Sequence, residues 1–294
     1  MELPAFESGL SASFTVKRNF VCFTDSYNTV VGMIRPCFQD ALHVLDNYDQ
    51  VGCVDSSALS KYSECEVIVL PHMDKLPPLK QNRLAKWLLH LKREYPNIIC
   101  VATLKPVLED AAAAGGSRFP LSGYLKSKFW FATAEPTKAV SKETLLLTSP
   151  QDCHRITIHS SIRRYVLDIV VFLRMHRLAN QSLSGGASTK SLDDILQLTQ
   201  WLVATGSGSA SSKPRTFANP DVVQQACLWY FPMHMELIKD PQNDTSVMYG
   251  SEPRFVEELI VGLREFTRRA GTGNPLVMET LVVKDVLNKV VPAL

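Results

Sequence analysis

The residues that bear on chemistry stand at the ends of short apolar runs. The run VIVL ends at Leu70 and is followed by Pro71, His72 and, two positions on, Asp74. A second run, NIICVAT, is followed closely by Lys105, and a third, KFWF, opens on Lys128. Phosphoryl transfer at such strand ends needs a carboxylate to hold Mg²⁺ and another group to orient the attacking water. It also needs a glycine-rich loop to cradle phosphate, with a lysine for charge and a Ser or Thr for the metal. Pro71 can do neither job at the strand end, and His72 is a poor substitute for a magnesium ligand. After the first apolar run the chain reads TDSYNTVVGMIRP, where Gly32 stands alone, and the dipeptide Gly-Lys occurs nowhere. There is also no Gly-x-Ser-x-Gly elbow and no His-Glu-x-x-His helix.

The remaining reactive side chains carry bland readings. Seven cysteines are present, irregularly spaced and without a Cys-x-x-Cys pair, so reduced core thiols are expected and a zinc site is not. His176 and His234 read as surface or satisfied core histidines. Trp229, Phe231 and Leu237 read as core, with Pro232 kinking or ending their helix. Hydrophobic residues make up 46% of the 294 positions and charged residues 20%, enough for a substantial core. A net charge of +2 gives no support to nucleic-acid binding. The opening residues lack a signal-peptide pattern, and no apolar run reaches membrane-spanning length. An intracellular protein, nuclear or cytoplasmic, is expected.

The elements that must position these residues change character along the chain. Before about residue 150, strand-like and helix-like runs alternate. NFVCFTD, QVGCVD, EVIVL, NIICVAT and KFWFATAEP read as strands, GMIRPCFQDALHVL as a helix, and Leu79–Tyr95 as an amphipathic helix. This alternation predicts an α/β unit with a parallel sheet flanked by helices. Residues 111–120 and 134–154 read as connections. The rest reads as helical: Ser160–Leu178, capped by Ser160 or Ser161; Ser191–Thr205, with a serine cap; a helix opened by Asn219 and Pro220; and two more toward the C-terminus. The stretch 206–218 reads as a flexible insertion. The division expected is 1–150 and 151–294.

Taken in order, these segments resemble a degenerate AAA+ module of the MoxR and magnesium-chelatase type. VIVLPHMDKLPPLKQNRLAKWL is similar to that family's acidic strand end, its double-proline turn and the following helix. The match puts Pro71 and His72 at the Asp-Glu positions, with Asp74 and Lys75 where Asn-Arg would follow. CVATLKP resembles the sensor strand end and places Lys105 at its asparagine. LKSKFWF resembles the arginine-finger segment with Lys128 at the finger, and GGASTKSLDDI the lid turn with Lys190 at its arginine. Lysine keeps the charge of arginine but loses its bidentate fork. In the second half, RYVLDIVVFLRMHRL, WYFPMHMELI, DTSVMYGSEP and LVVKDVLNKVVP resemble the fungal maintenance of telomere capping protein 2 family.

The resemblance implies a P-loop-NTPase-like (AAA+) parallel sheet followed by an all-helical, lid-like domain. With the phosphate loop and acidic pair gone, it implies a non-catalytic scaffold or adaptor with protein partners, no membrane, no metal and no cofactor. The alternative is a magnesium-chelatase-type ATPase subunit that uses ATP and Mg²⁺ only with a partner, and depends on Asp74.

Overall fold

The computed structural model describes residues 2–52, 59–106, 121–146, 148–180, 185–206, 216–238, 240–270 and 274–292. The expected connection at 111–120 and most of the insertion at 206–218 lie outside them. The chain divides into two compact units, Leu3–Ser149 and Pro150–Leu294.

The first unit is built on a five-stranded sheet, β1 (Phe20–Phe23), β2 (Leu42–Val44), β3 (Val67–Leu70), β4 (Ile99–Leu104) and β5 (Ala132–Thr133), in the order β2-β3-β4-β1-β5. Every pairing is parallel, with Phe20 opposite Val101 and Val67 opposite Ile99. The fold is α/β and compatible with a P-loop-like sheet. β1, β3 and β4 are buried at every position, as parallel strands covered on both faces must be. The covering helices include α1 (Phe6–Val16), α2 (Tyr27–Phe38) and α3 (Pro78–Glu94). α3 starts on Pro78, where a missing N–H costs nothing, and buries Leu84, Trp87, Leu88 and Leu91. α1 approaches β5 so closely that a Cβ on Gly9 would lie 2.3 Å from the Thr133 methyl.

Two expectations for this unit change. The helix expected over GMIRPCFQDALHVL begins earlier, at Tyr27, because Val30, Ile34, Cys37 and Phe38 supply its buried stripe. Pro36 sits inside its last turn and the helix ends two residues later. The rest of that run is β2, which pairs Leu42 with Val67 and Val44 with Val69. The strand expected at QVGCVD is instead a 3-10 turn over Tyr48–Gly52 in its described part.

The second unit contains α4 (Ser160–Arg174), α5 (Lys190–Ala204), α6 (Pro220–His234), α7 (Pro253–Ala270) and α8 (Val277–Lys289). α4 buries Ile162, Tyr165, Val166, Ile169, Val170 and Leu173, the face its spacing predicts. Its cap is not a serine: His159 accepts the Ser161 N–H at 3.3 Å through Nδ1. α5 likewise begins after Thr189, without a side-chain cap, and Ser191 is buried within its first turn. α6 is capped by Asn219, whose Oδ1 accepts the Val222 N–H at 3.1 Å. It runs through Pro232 to His234. Trp229 and Leu237 are only partly buried, whereas Phe231 is fully buried. Gly186, with φ +82°, packs where a Cβ would meet the His234 carbonyl oxygen at 1.8 Å, so no other residue fits.

Candidate functional site

Open parallel sheets bind ligands outside the carboxyl ends of their strands, where neighbouring connections diverge. Here that edge is formed by the residues after Phe23, Leu70, Leu104 and Thr133. It brings Pro71, His72, Asp74 and Lys105 into one neighbourhood.

Only Thr24, Asp25 and Ser26 connect β1 to α2, which starts at Tyr27. Three residues are too few for a Gly-x-x-x-x-Gly-Lys-Ser/Thr loop, and the polar groups of Thr24 are already engaged. The Thr24 N–H continues the sheet by donating to the Leu104 carbonyl at 2.9 Å. The Thr24 hydroxyl donates to Glu135 Oε1 at 2.7 Å and accepts the Ser26 N–H at 3.2 Å. Asp25 lies 3.9 Å from Lys105 Nζ, an exposed pair of little energetic weight. Glu135 and Asp25 thus bring two carboxylates to this edge, beside the cation of Lys105. The Tyr27 ring meets the His72 ring edge-on, with centroids 5.3 Å apart.

The Pro71-His72 pair is built into the same closure. The Pro71 carbonyl accepts the Tyr48 hydroxyl at 2.6 Å, and burial pushes that hydroxyl's pKa well above its usual range. His72 is in the left-handed region (φ 51°, ψ 44°), unusual for a residue with a side chain. Its N–H donates to Thr103 Oγ1 at 3.3 Å, and that hydroxyl in turn donates to the Leu70 carbonyl at 3.4 Å. This kink turns the chain away from the strand into the short turn Met73–Lys75. Asp74 lies in that turn, and its Oδ1 is buried with no hydrogen-bond partner among the described residues. The described residues contain no group of three or more His, Cys, Asp or Glu side chains able to hold a metal.

Lys128 lies at the other end of β1, and Lys190 is part of the second unit. Lys128 is tied to the amino-terminal side of β1, since its carbonyl accepts the Asn19 side-chain N–H at 3.2 Å. Its Nζ stands 4.4 Å from the centre of the Tyr124 ring, and burial lowers its pKa. Lys190 belongs to the second unit, where its Nζ lies 3.6 Å from Oδ2 of buried Asp194. In that unit the Tyr230 hydroxyl donates to Asp194 at 3.2 Å, and its ring stacks on His234 with centroids 4.3 Å apart. His176 meets Asp285 at 3.1 Å, and burial lowers its pKa.

A displaced lysine outside all these positions is Lys92, whose pKa burial brings down to about 8. Such shifts often mark functional groups. Lys92, however, donates to the backbone carbonyls of Lys17 at 2.9 Å, Pro96 at 3.2 Å and Ile98, which is the role of a structural cation.

The sequence reading missed Thr24, Asp25, Tyr27, Tyr48, Thr103 and Glu135. Their signal was positional: Thr24 and Lys105 are the first residues beyond the paired strands β1 and β4, and Asp25 follows next.

The fold defines a class first: an α/β unit on a five-stranded, all-parallel sheet, compatible with a P-loop-like fold. No protein-family model matches the chain. It is similar to curated proteins named maintenance of telomere capping protein 2. The match in Eremothecium gossypii is 42% identical and covers 100% of this chain and 99% of the relative. That in Lachancea thermotolerans is 38% identical, over 99% of this chain and 98% of the relative. That in Saccharomyces cerevisiae is 29% identical, with the same coverage. The chain belongs to the maintenance of telomere capping protein 2 family.

Proposed function

We propose that this chain is a non-catalytic AAA+-like module retained as a scaffold or adaptor in telomere capping, working in the nucleus through protein partners. The observation that carries the reading is the three-residue connection from β1 to α2, closed by the Thr24–Glu135 hydrogen bond and fronted by Asp25. The parallel sheet supports an AAA+ ancestry, and the relatives' name supplies the process. A phosphate-release assay on the purified chain tests it: no turnover is expected, and ATP hydrolysis by the chain alone would overturn it.

A second reading, a magnesium-chelatase-type ATPase subunit completed by a partner, draws on Asp74 and its unpartnered Oδ1. It predicts hydrolysis that requires an added subunit and disappears in Asp74→Ala.

A further inference from the structure

The outer face of α4 is left unfinished. Opposite the buried stripe, Leu167 is 49% exposed, Val171 40% and Met175 73%, with Phe172 beside them at 47%. Leu167, Val171 and Met175 follow one another at intervals of four, so they form a ridge along the helix. The ridge begins at Arg163 and Arg164, both exposed. Arg163, four residues before Leu167, continues this row, and Arg164 lies beside it. From Arg163 to Met175 the ridge runs roughly 18 Å at the rise of an α-helix, enough to face about three turns of another helix.

The arginines are badly placed for the stability of α4 itself. They sit near its amino end, where the backbone dipole favours negative charge, and the first turn holds no acidic residue. Neither guanidinium has a carboxylate partner among the described residues, whereas Arg174 is tied to the Ala187 carbonyl at 2.6 Å and Arg177 lies 3.8 Å from Asp244. Two unpaired cations at the head of an exposed apolar ridge fit a ligand that is apolar along one line and acidic at its flank. A nucleic-acid backbone would satisfy the arginines but leave the ridge in water.

We propose that this face docks an acidic amphipathic helix of a partner protein. Its apolar residues lie along Leu167, Val171, Phe172 and Met175, and its carboxylates meet Arg163 and Arg164. This deepens the adaptor reading and rests on it for purpose, not for geometry; the scaffold reading itself is judged by ATP turnover, which the following experiment does not measure.

The probe is a fluorescent synthetic helix with leucines at intervals of three and four, flanked by glutamates, titrated by anisotropy with the full chain. A matched helix with lysines in place of glutamates is the control. The glutamate helix is expected to bind and the lysine helix not to. Arg163→Glu with Arg164→Glu, and separately Leu167→Asp, should each weaken binding about tenfold or more while leaving the melting temperature unchanged. Weaker binding in higher salt supports the arginine contacts. No binding, or equal binding to the charge-reversed variant, overturns the proposal. So does concentration-dependent self-association abolished by Leu167→Asp, which would make a second copy the occupant. A DNA duplex that competes for the two arginines would overturn it as well.

Discussion

The carboxyl edge of the sheet and the outer face of α4 differ in what their side chains leave undone. At the sheet edge, Thr24 turns onto Glu135, Tyr48 onto Pro71, Thr103 onto His72, and Asp25 faces Lys105. Most of the polar groups described there are matched by contacts within the chain. On α4, Arg163, Arg164 and the ridge Leu167, Val171 and Met175 face solvent, the two arginines without a carboxylate partner among the described residues. At the sheet edge the one unsatisfied group described is the buried Asp74 Oδ1, whereas on α4 the unmatched groups are exposed.

That contrast can be broken or sharpened by substitution. The largest effect is expected at Gly186→Ala, which forces a Cβ against the His234 carbonyl and holds alanine at positive φ. About 3 kcal/mol or more should be lost in denaturant unfolding. Lys92→Met should cost about 2 kcal/mol, because three backbone carbonyls lose their donor.

Lys92 also gives a pH signature. Its pKa is about 8 in the folded chain and near 10.5 when free, so between these values the unfolded chain holds more protons. Its contribution to stability therefore rises with pH from about 8 to 10.5 and is lost as pH falls through 8. Cys22 and Cys100 act oppositely. Burial raises both thiols from 9.0 to about 12, so their contribution is present below pH 9 and fades above it as the unfolded chain ionises. Melting temperature should rise slightly from pH 8 toward 9 and fall beyond it, and Lys92→Met should remove the rise but not the fall.

Tyr48→Phe comes next, at about 1 to 2 kcal/mol, since it leaves the Pro71 carbonyl without its donor. The smallest effect is expected at Leu167→Asp and at Arg163→Glu with Arg164→Glu, which should stay within about 0.5 kcal/mol in unfolding experiments. A large loss there would show that the α4 face is structural and remove the contrast.

Legibility in the sequence followed burial. β3 and β4 were readable because VIVL and ICVATL are continuous apolar runs that water never reaches. β2 was not, because Leu42–Val44 is a half-buried edge strand of three residues joined to a helix-like run, and only its pairing with β3 defines it. α4 was readable from spacing, but its cap was not: a histidine accepting the Ser161 N–H competes with two serines that look better suited. At the candidate site the absence of a Gly-Lys loop and of a carboxylate at Pro71-His72 was plain in the sequence. What stands at that edge was not, because Thr24 and Glu135 are 111 residues apart and meet only through the neighbouring strands β1 and β5. The placement of Lys128 at the opposite end of β1 from Lys105 was equally hidden, since motif order carries no information about which end of a sheet a residue occupies.

The central claim is that the corner after β1 no longer accepts a nucleotide. Isothermal titration of Mg-ATP into the full chain tests it most directly. The account predicts no saturable heat, and the same flat trace for Asp25→Ala, since opening one charge does not rebuild a loop. A saturable micromolar isotherm would contradict it.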